Sequence, residues 1–185
     1  MAPTEFAALL QQVTGESRRF LDSTALATDE AFRSMLDGAL RAFTRKLGQL
    51  LDAERASLFL VDPERNELWL TIAQEADQGL TELRIPMTGG IAGHAARTGE
   101  TVRVNDAYAD TRFDPAMDRE TGFRTRSILC VPLLSTRGEV FAVAQLLNRR
   151  DGRPFDAADE QRFVEFLQPI AVILETWWRM TRLRR

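Results

Sequence analysis

The sequence predicts an α+β fold: one six-stranded antiparallel sheet flanked by helices, with long helices at the N- and C-terminal ends. Three observations carry this expectation. The two ends of the chain step their apolar residues by three and four, while the middle switches to short β-rich runs separated by turn-forming residues. The third is length: 185 residues suit one compact domain with an extra helix at each end, large enough to bury about 70% of the surface its unfolded chain exposes.

Phe6, Leu9, Leu10, Val13 and Phe20 recur at helical spacing until Asp22-Ser23-Thr24 interrupts them. A longer helix follows Asp29, its stripe formed by Phe32, Leu36, Leu40, Phe43, Leu47 and Leu50. The runs Ala56 to Val61 and Leu68 to Ala73, joined by Asp62-Pro63-Glu64-Arg65-Asn66, form a hairpin. Short strands follow at Leu83 to Pro86 and Thr101 to Val104. Between them, Gly89-Gly90 and Thr98-Gly99 supply helix start and stop chemistry.

Ser127 to Leu134 and Glu139 to Leu147 make a second hairpin across Ser135-Thr136-Arg137-Gly138. The last helix starts at Asp156-Ala157-Ala158-Asp159, a capping box with Asp at its third position. Phe163, Phe166, Ile170, Ile173, Trp177 and Met180 then form a heptad seam, and Pro169 predicts a kink or break near Glu165.

Composition removes several function classes. A net charge of -3, from 24 Lys and Arg against 27 Asp and Glu, gives no basic field for nucleic acid. No signal peptide and no apolar run of membrane-spanning length is found, so the expected compartment is the cytoplasm and no membrane partner is expected. One Cys and one His cannot make a Cys/His zinc site, and no catalytic residue or metal ligand is assigned. Cys130, inside Ile128-Leu129-Cys130-Val131, reads as a buried structural thiol. His94 reads as an ordinary residue of a small-residue helix.

Two segments suggest binding. Gly89-Gly90-Ile91-Ala92-Gly93 is either a tight strand-to-helix connection or a place where an anion meets free helix N–H groups. The connection from Asn105 to Arg126 is long for a compact domain, and is either a lid or a solvated loop with Phe113 and Phe123 on the core.

Four segments carry a family resemblance: Gly90-Ile91-Ala92-Gly93-His94, Asn105-Asp106-Ala107-Tyr108, the run from Thr121 to Pro132, and Val143 to Arg149. Together they resemble a GAF domain, most of all those of cyclic-nucleotide phosphodiesterases and bacterial adenylyl cyclases. The resemblance implies an N-terminal helix and linker over 1–28, a GAF domain over 29–176 and the end of a C-terminal signalling helix over 177–185. It further implies a non-catalytic sensor without a cofactor that binds a small anionic ligand, with a cyclic nucleotide, cAMP or cGMP, as the leading candidate. The effector it controls is unknown.

The same resemblance implies the site. Ser57 would face the nucleotide, the Ile91 and Ala92 amides would take the cyclic phosphate, and Thr121 and Thr125 would close the lid. Gln145 would meet the base edge, its amide serving adenine or guanine. Asn148, Arg149, Phe155, Asp159 and Glu160 match a supporting Asn-Lys, Phe, Asp-Glu motif with Arg in place of Lys, and an Arg149 to Asp159 pair would tie the last strand to the final helix. Near Ala73 and Gln74 this sequence lacks the aromatic residue that stacks on the purine in some relatives, an interaction of roughly 1–3 kcal/mol. A homodimer through the terminal helices would cover the heptad seam. The alternative is a structural GAF module that only dimerises, its pocket empty or degenerate. Free methionine sulfoxide reductases also resemble GAF domains, but their chemistry uses several cysteines.

Overall fold

The computed structural model describes residues 38, 42–73 and 84–182. The predicted first helix, most of the first half of the second, and the connection that includes Gln74 lie outside the described residues. Residues 42–50 are helical (α1). The strands are β1 (Ala53–Asp62), β2 (Glu67–Ala73), β3 (Arg84–Pro86), β4 (Val102–Val104), β5 (Ile128–Leu134) and β6 (Val140–Arg149). Helices α2 (Gly90–Thr98), α3 (Ala116–Thr121) and α4 (Ala157–Arg182) complete the order, with a single 3-10 turn at Ala107–Ala109.

The six strands form one sheet in the order β3-β2-β1-β6-β5-β4, every pairing antiparallel. The two expected hairpins are present at β1-β2 and β5-β6. At the centre, β1 pairs with β6, placing Ser57 opposite Gln145 and Ala53 opposite Arg149.

The period of two along each strand divides the core between the two faces. Leu58, Leu60, Leu129, Val131, Ala144 and Leu146 face α1 and α4, while Phe59, Val61, Ile128, Cys130 and Val143 face α2. Both clusters are buried, which explains why the central strands read as nearly continuous apolar runs.

Helix α4 opens on the expected capping box. The Asp159 amide donates to Asp156 Oδ1 at 2.9 Å and the Asp156 amide donates to Asp159 Oδ2 at 3.1 Å. The helix runs without interruption from Ala157 to Arg182 through Pro169, so of the expected kink or break near Glu165 the break does not occur. Burial of Phe163, Leu167, Ile170 and Leu174 at roughly 1.5–3 kcal/mol each outweighs the roughly 3 kcal/mol that an interior proline costs.

The heptad seam divides over its four described side chains; those of Trp177 and Met180 lie outside the described residues. Phe163 and Ile170 join Leu167, Leu174 and Trp178 in the helix's own stripe against the sheet, and Phe166 and Ile173 pack at its margin, partly buried. The Trp178 Nε1 donates to the Val61 carbonyl at 2.7 Å, fastening the helix to the end of β1. Nearby, Glu175 accepts the Thr136 amide and hydroxyl, both at 3.1 Å, and so holds the β5-β6 turn.

Candidate functional site

On the α2 face of the sheet, a cavity of about 920 Å³ opens between the floor of β1 and β6, the first turn of α2 and the connection from Asn105 to Arg126. That size falls within the range of small-molecule sites, roughly 300–1,000 Å³. All six residues implied to touch a ligand line it: Ser57, Ile91, Ala92, Thr121, Thr125 and Gln145.

The floor follows from strand alternation. Arg55, Ser57 and Phe59 share one face of β1, and the register sets Ser57 beside Gln145 and Arg55 beside Leu147 on β6. Ser57 and Gln145 are half-buried, and neither side chain makes a hydrogen bond among the described residues. They are polar groups left available in a largely apolar floor.

The α2 wall is built by a connection that approaches the helix closely. Gly90 has φ +65°, a left-handed conformation that disfavours a side chain. A Cβ on Gly93 would lie 2.5 Å from the Met87 carbonyl oxygen, so any side chain there would force the backbone to shift. The Arg97 guanidinium donates to the same carbonyl. Helix α2 has no side-chain cap and no acid in its first turn, and the Ile91 and Ala92 amides belong to the first-turn N–H groups that lack acceptors within the helix.

The lid holds structure that sequence reading missed. It contains the 3-10 turn and the short helix α3, which Gly122 ends in a left-handed conformation at φ +70°. Asp118, on α3 and buried, organises it. Its Oδ1 accepts the Thr125 hydroxyl at 2.7 Å, and its Oδ2 accepts the Thr125 amide at 2.6 Å and the Tyr108 hydroxyl at 3.1 Å. Desolvation and the Asp118 carboxylate raise the Tyr108 phenol above its ordinary 10, so Tyr108 remains the donor at neutral pH. The Thr121 hydroxyl donates to the Met117 carbonyl at 2.8 Å. Both lid threonines therefore use their hydroxyls inside the lid. A Thr125→Ala replacement would disturb the lid itself as well as any ligand contact.

The five supporting residues lie behind the cavity and do not line it. Asn148, wholly buried at φ +53°, accepts at Oδ1 from the Arg126 amide (2.6 Å) and the Ser127 amide (3.2 Å). Its Nδ2 donates to Glu54 Oε2 at 2.8 Å and to the Arg124 carbonyl at 2.9 Å. Glu54 also pairs with Arg126 at 2.6 Å. Burial would raise the Glu54 carboxyl, but the Asn148 amide and the Arg126 guanidinium outweigh it and hold the group below its ordinary 4.5. Arg149 pairs with Asp159 and with Asp151, linking β6 to the start of α4. Phe155 is buried in the α4 side of the core, and Glu160 pairs with Arg103 on β4 at 2.8 Å.

Further observations bear on other chemistry. Cys130 is buried completely, and burial pushes its thiol far above the usual range. Among the described residues, no group of three or more His, Cys, Asp or Glu could hold a metal ion, and no helix is long and apolar enough to cross a membrane. Ala73 on β2 pairs with Ser57 on β1, and the aromatic residues among the described lining of the cavity are Phe59, Phe113 and Phe123.

The family model of the GAF domain matches residues 35–174. The probable 3′,5′-cyclic phosphodiesterase pde-5 of Caenorhabditis elegans is 40% identical over 128 residues, 64% of this chain and 17% of that protein. Dual 3′,5′-cyclic-AMP and -GMP phosphodiesterase 11 of Drosophila melanogaster is 37% identical over 133 residues, 64% of this chain and 9% of that protein. The chain thus spans less than a fifth of either relative. Among solved structures, the GAF domain of a phosphoenolpyruvate-protein phosphotransferase from Coxiella burnetii superposes with a TM-score of 0.68 at 20% identity, covering 96% of this chain and 95% of that one. A free methionine-R-sulfoxide reductase from Neisseria meningitidis, solved with its substrate, gives 0.60 at 26% identity, covering 80% and 81%.

Proposed function

Because this chain belongs to the GAF domain family, we propose that it is a regulatory domain that takes a cyclic nucleotide, cAMP or cGMP, into the cavity beneath the 105–126 lid. Occupancy is passed on through the terminal helices. The carrying observation is the pairing of Ser57 with Gln145 on the cavity floor, two available polar side chains beside the first turn of α2. The helix turn offers N–H groups to an anion, and the Gln145 amide offers one donor and one acceptor to a base edge. Kinship with cyclic-nucleotide phosphodiesterases supports the ligand class. Phe113 and Phe123 offer aromatic faces in place of the stacking residue missing near Ala73.

A thermal-shift panel of cAMP, cGMP, cyclic dinucleotides, AMP and buffer tests this. At 100 times its dissociation constant, a ligand stabilises by about 2.7 kcal/mol, or roughly 5–10 °C in a domain of this size. One cyclic nucleotide is expected to give that shift, and Gln145→Ala is expected to weaken it by about 5- to 150-fold in affinity, the equivalent of 1–3 kcal/mol. A flat panel with nucleotide-free protein would sink the reading. It would favour a module that only dimerises, a reading supported by lid threonines already bonded within the lid.

We read the domain as non-catalytic. Its only cysteine, Cys130, is sealed in the sheet core, unlike the several cysteines used by free methionine sulfoxide reductases. A second copy would cover the outer margin of α4, where Val172 is 66% exposed beside the partly buried Phe166 and Ile173. Light scattering is expected to give a dimer mass that falls to the monomer mass in Val172→Glu. A monomeric parent protein would refute this part.

A further inference from the structure

We propose that Arg55 is a positioning residue that fastens the lid to the sheet through Phe123, controlling the β1-side mouth of the cavity. The inference deepens the reading of the cavity as a ligand site, but its first test does not depend on a ligand.

Arg55 lies on β1 two residues before Ser57 and lines the same cavity. Its guanidinium carbon stands 3.8 Å from the centroid of the Phe123 ring, a contact between sheet and lid. Phe123 follows the left-handed Gly122 that ends α3, and it belongs to neither apolar core cluster among the described residues. An aromatic side chain that half-buries itself on a cation, in place of an apolar core, makes a contact that can open without exposing a packed core.

The remaining lid contacts indicate what opening would involve. The lid is tied internally, because Asp118 holds both Tyr108 and Thr125, and the Arg124 guanidinium lies 4.6 Å from the Tyr108 ring centroid. Its neck is closed by the Ala107 amide donating to the Arg126 carbonyl at 2.7 Å. Asn148 and Glu54 hold the base, and Phe113 packs against the α2-side core. The lid is therefore one preassembled unit, fixed at its base and along α2 and held along β1 by the Arg55–Phe123 stack. Asp114, Asp118 and Glu120 also line the cavity, so Arg55 is the sole cation among the described lining residues. A bound anion would draw on the group that holds the lid.

Hydrogen exchange of the lid amides over residues 107–126 in the full ligand-free chain tests the fastening. Arg55→Ala and Phe123→Ala are each expected to speed exchange there by about 5- to 30-fold, with β5 and β6 unchanged, and the double variant is expected to go no further than either single. Arg55→Lys is expected to recover part of the protection, since an ammonium keeps the charge and loses the planar stack. Unchanged lid exchange, or single effects that simply add, would overturn the proposal. In a second arm, both alanine variants are expected to release a fluorescent cyclic nucleotide faster by a similar factor. If the parent protein holds no nucleotide, the cavity reading fails, while the exchange result still decides the role of Arg55.

Discussion

Asn148→Ala is expected to destabilise the domain by about 3 kcal/mol and lower its melting temperature by roughly 6–12 °C. The side chain makes four hydrogen bonds, to Arg126, Ser127, Arg124 and Glu54, and its own backbone is left-handed at φ +53°. Alanine would strand two amides and a carbonyl at the lid base, each costing about 1–3 kcal/mol where water cannot reach it. It would also sit in a backbone region that costs a Cβ-bearing residue about 1–2 kcal/mol and that asparagine tolerates better. Asn148→Gly separates the two effects, since it loses the same hydrogen bonds without the conformational cost and should melt above the alanine variant. Urea titration of all three proteins measures the differences. If alanine equals the parent, the lid base is not held from β6.

Gly93→Ala has the next largest expected effect on stability, and its sign is a contest. Alanine is favoured over glycine in a helix by about 1 kcal/mol, while its Cβ would meet the Met87 carbonyl oxygen at 2.5 Å, the Met87 carbonyl carbon at 3.0 Å and the Pro86 oxygen at 3.2 Å. All three are backbone atoms, so no side chain can swing away and α2 must shift. Overpacking costs about 1–3 kcal/mol, and a clash with three backbone atoms belongs at the upper end, so after the helix gain a net loss of about 2 kcal/mol is expected. Because the first turn of α2 walls the cavity, ligand affinity should fall as well. A variant as stable as the parent would mean that the connection over residues 86–89 yields more easily than its contacts imply.

Much of the fold is legible because its signals are local. The two hairpins, the glycine-bounded α2 and the α4 capping box each announce themselves within a few residues. The pairing of β1 with β6 carries no local signal, since it is decided by packing on both faces of the finished sheet. Six residues are too few for α3 to display a helical period, although Pro115 and Gly122 bracket it. The α4 stripe shows a limit of another kind. Periodicity locates an apolar face but not what covers it, and Phe163 and Ile170 turn toward their own sheet.

In the site, all six residues implied by the resemblance are among those that line the cavity, but the resemblance did not indicate their present hydrogen bonds. The Thr125 hydroxyl is taken by Asp118, a partner supplied by the tertiary turn of the lid. Arg55 was missed, although its place two residues before Ser57 puts it on the same strand face.

The central position of β1 also has a consequence for biosynthesis. Glu54 and Asn148, joined by a hydrogen bond across the finished domain, are 94 residues apart in the chain. At about 5–20 residues per second, β1 waits on the order of 5–20 s on the ribosome before β6 exists to pair with it. During that interval the β1-β2 hairpin presents an unpaired edge whose side chains are apolar on both faces. Loop closure over such a distance favours slow folding. The strand that carries Ser57 and Arg55 thus keeps an adhesive edge open until synthesis of the sheet is nearly complete.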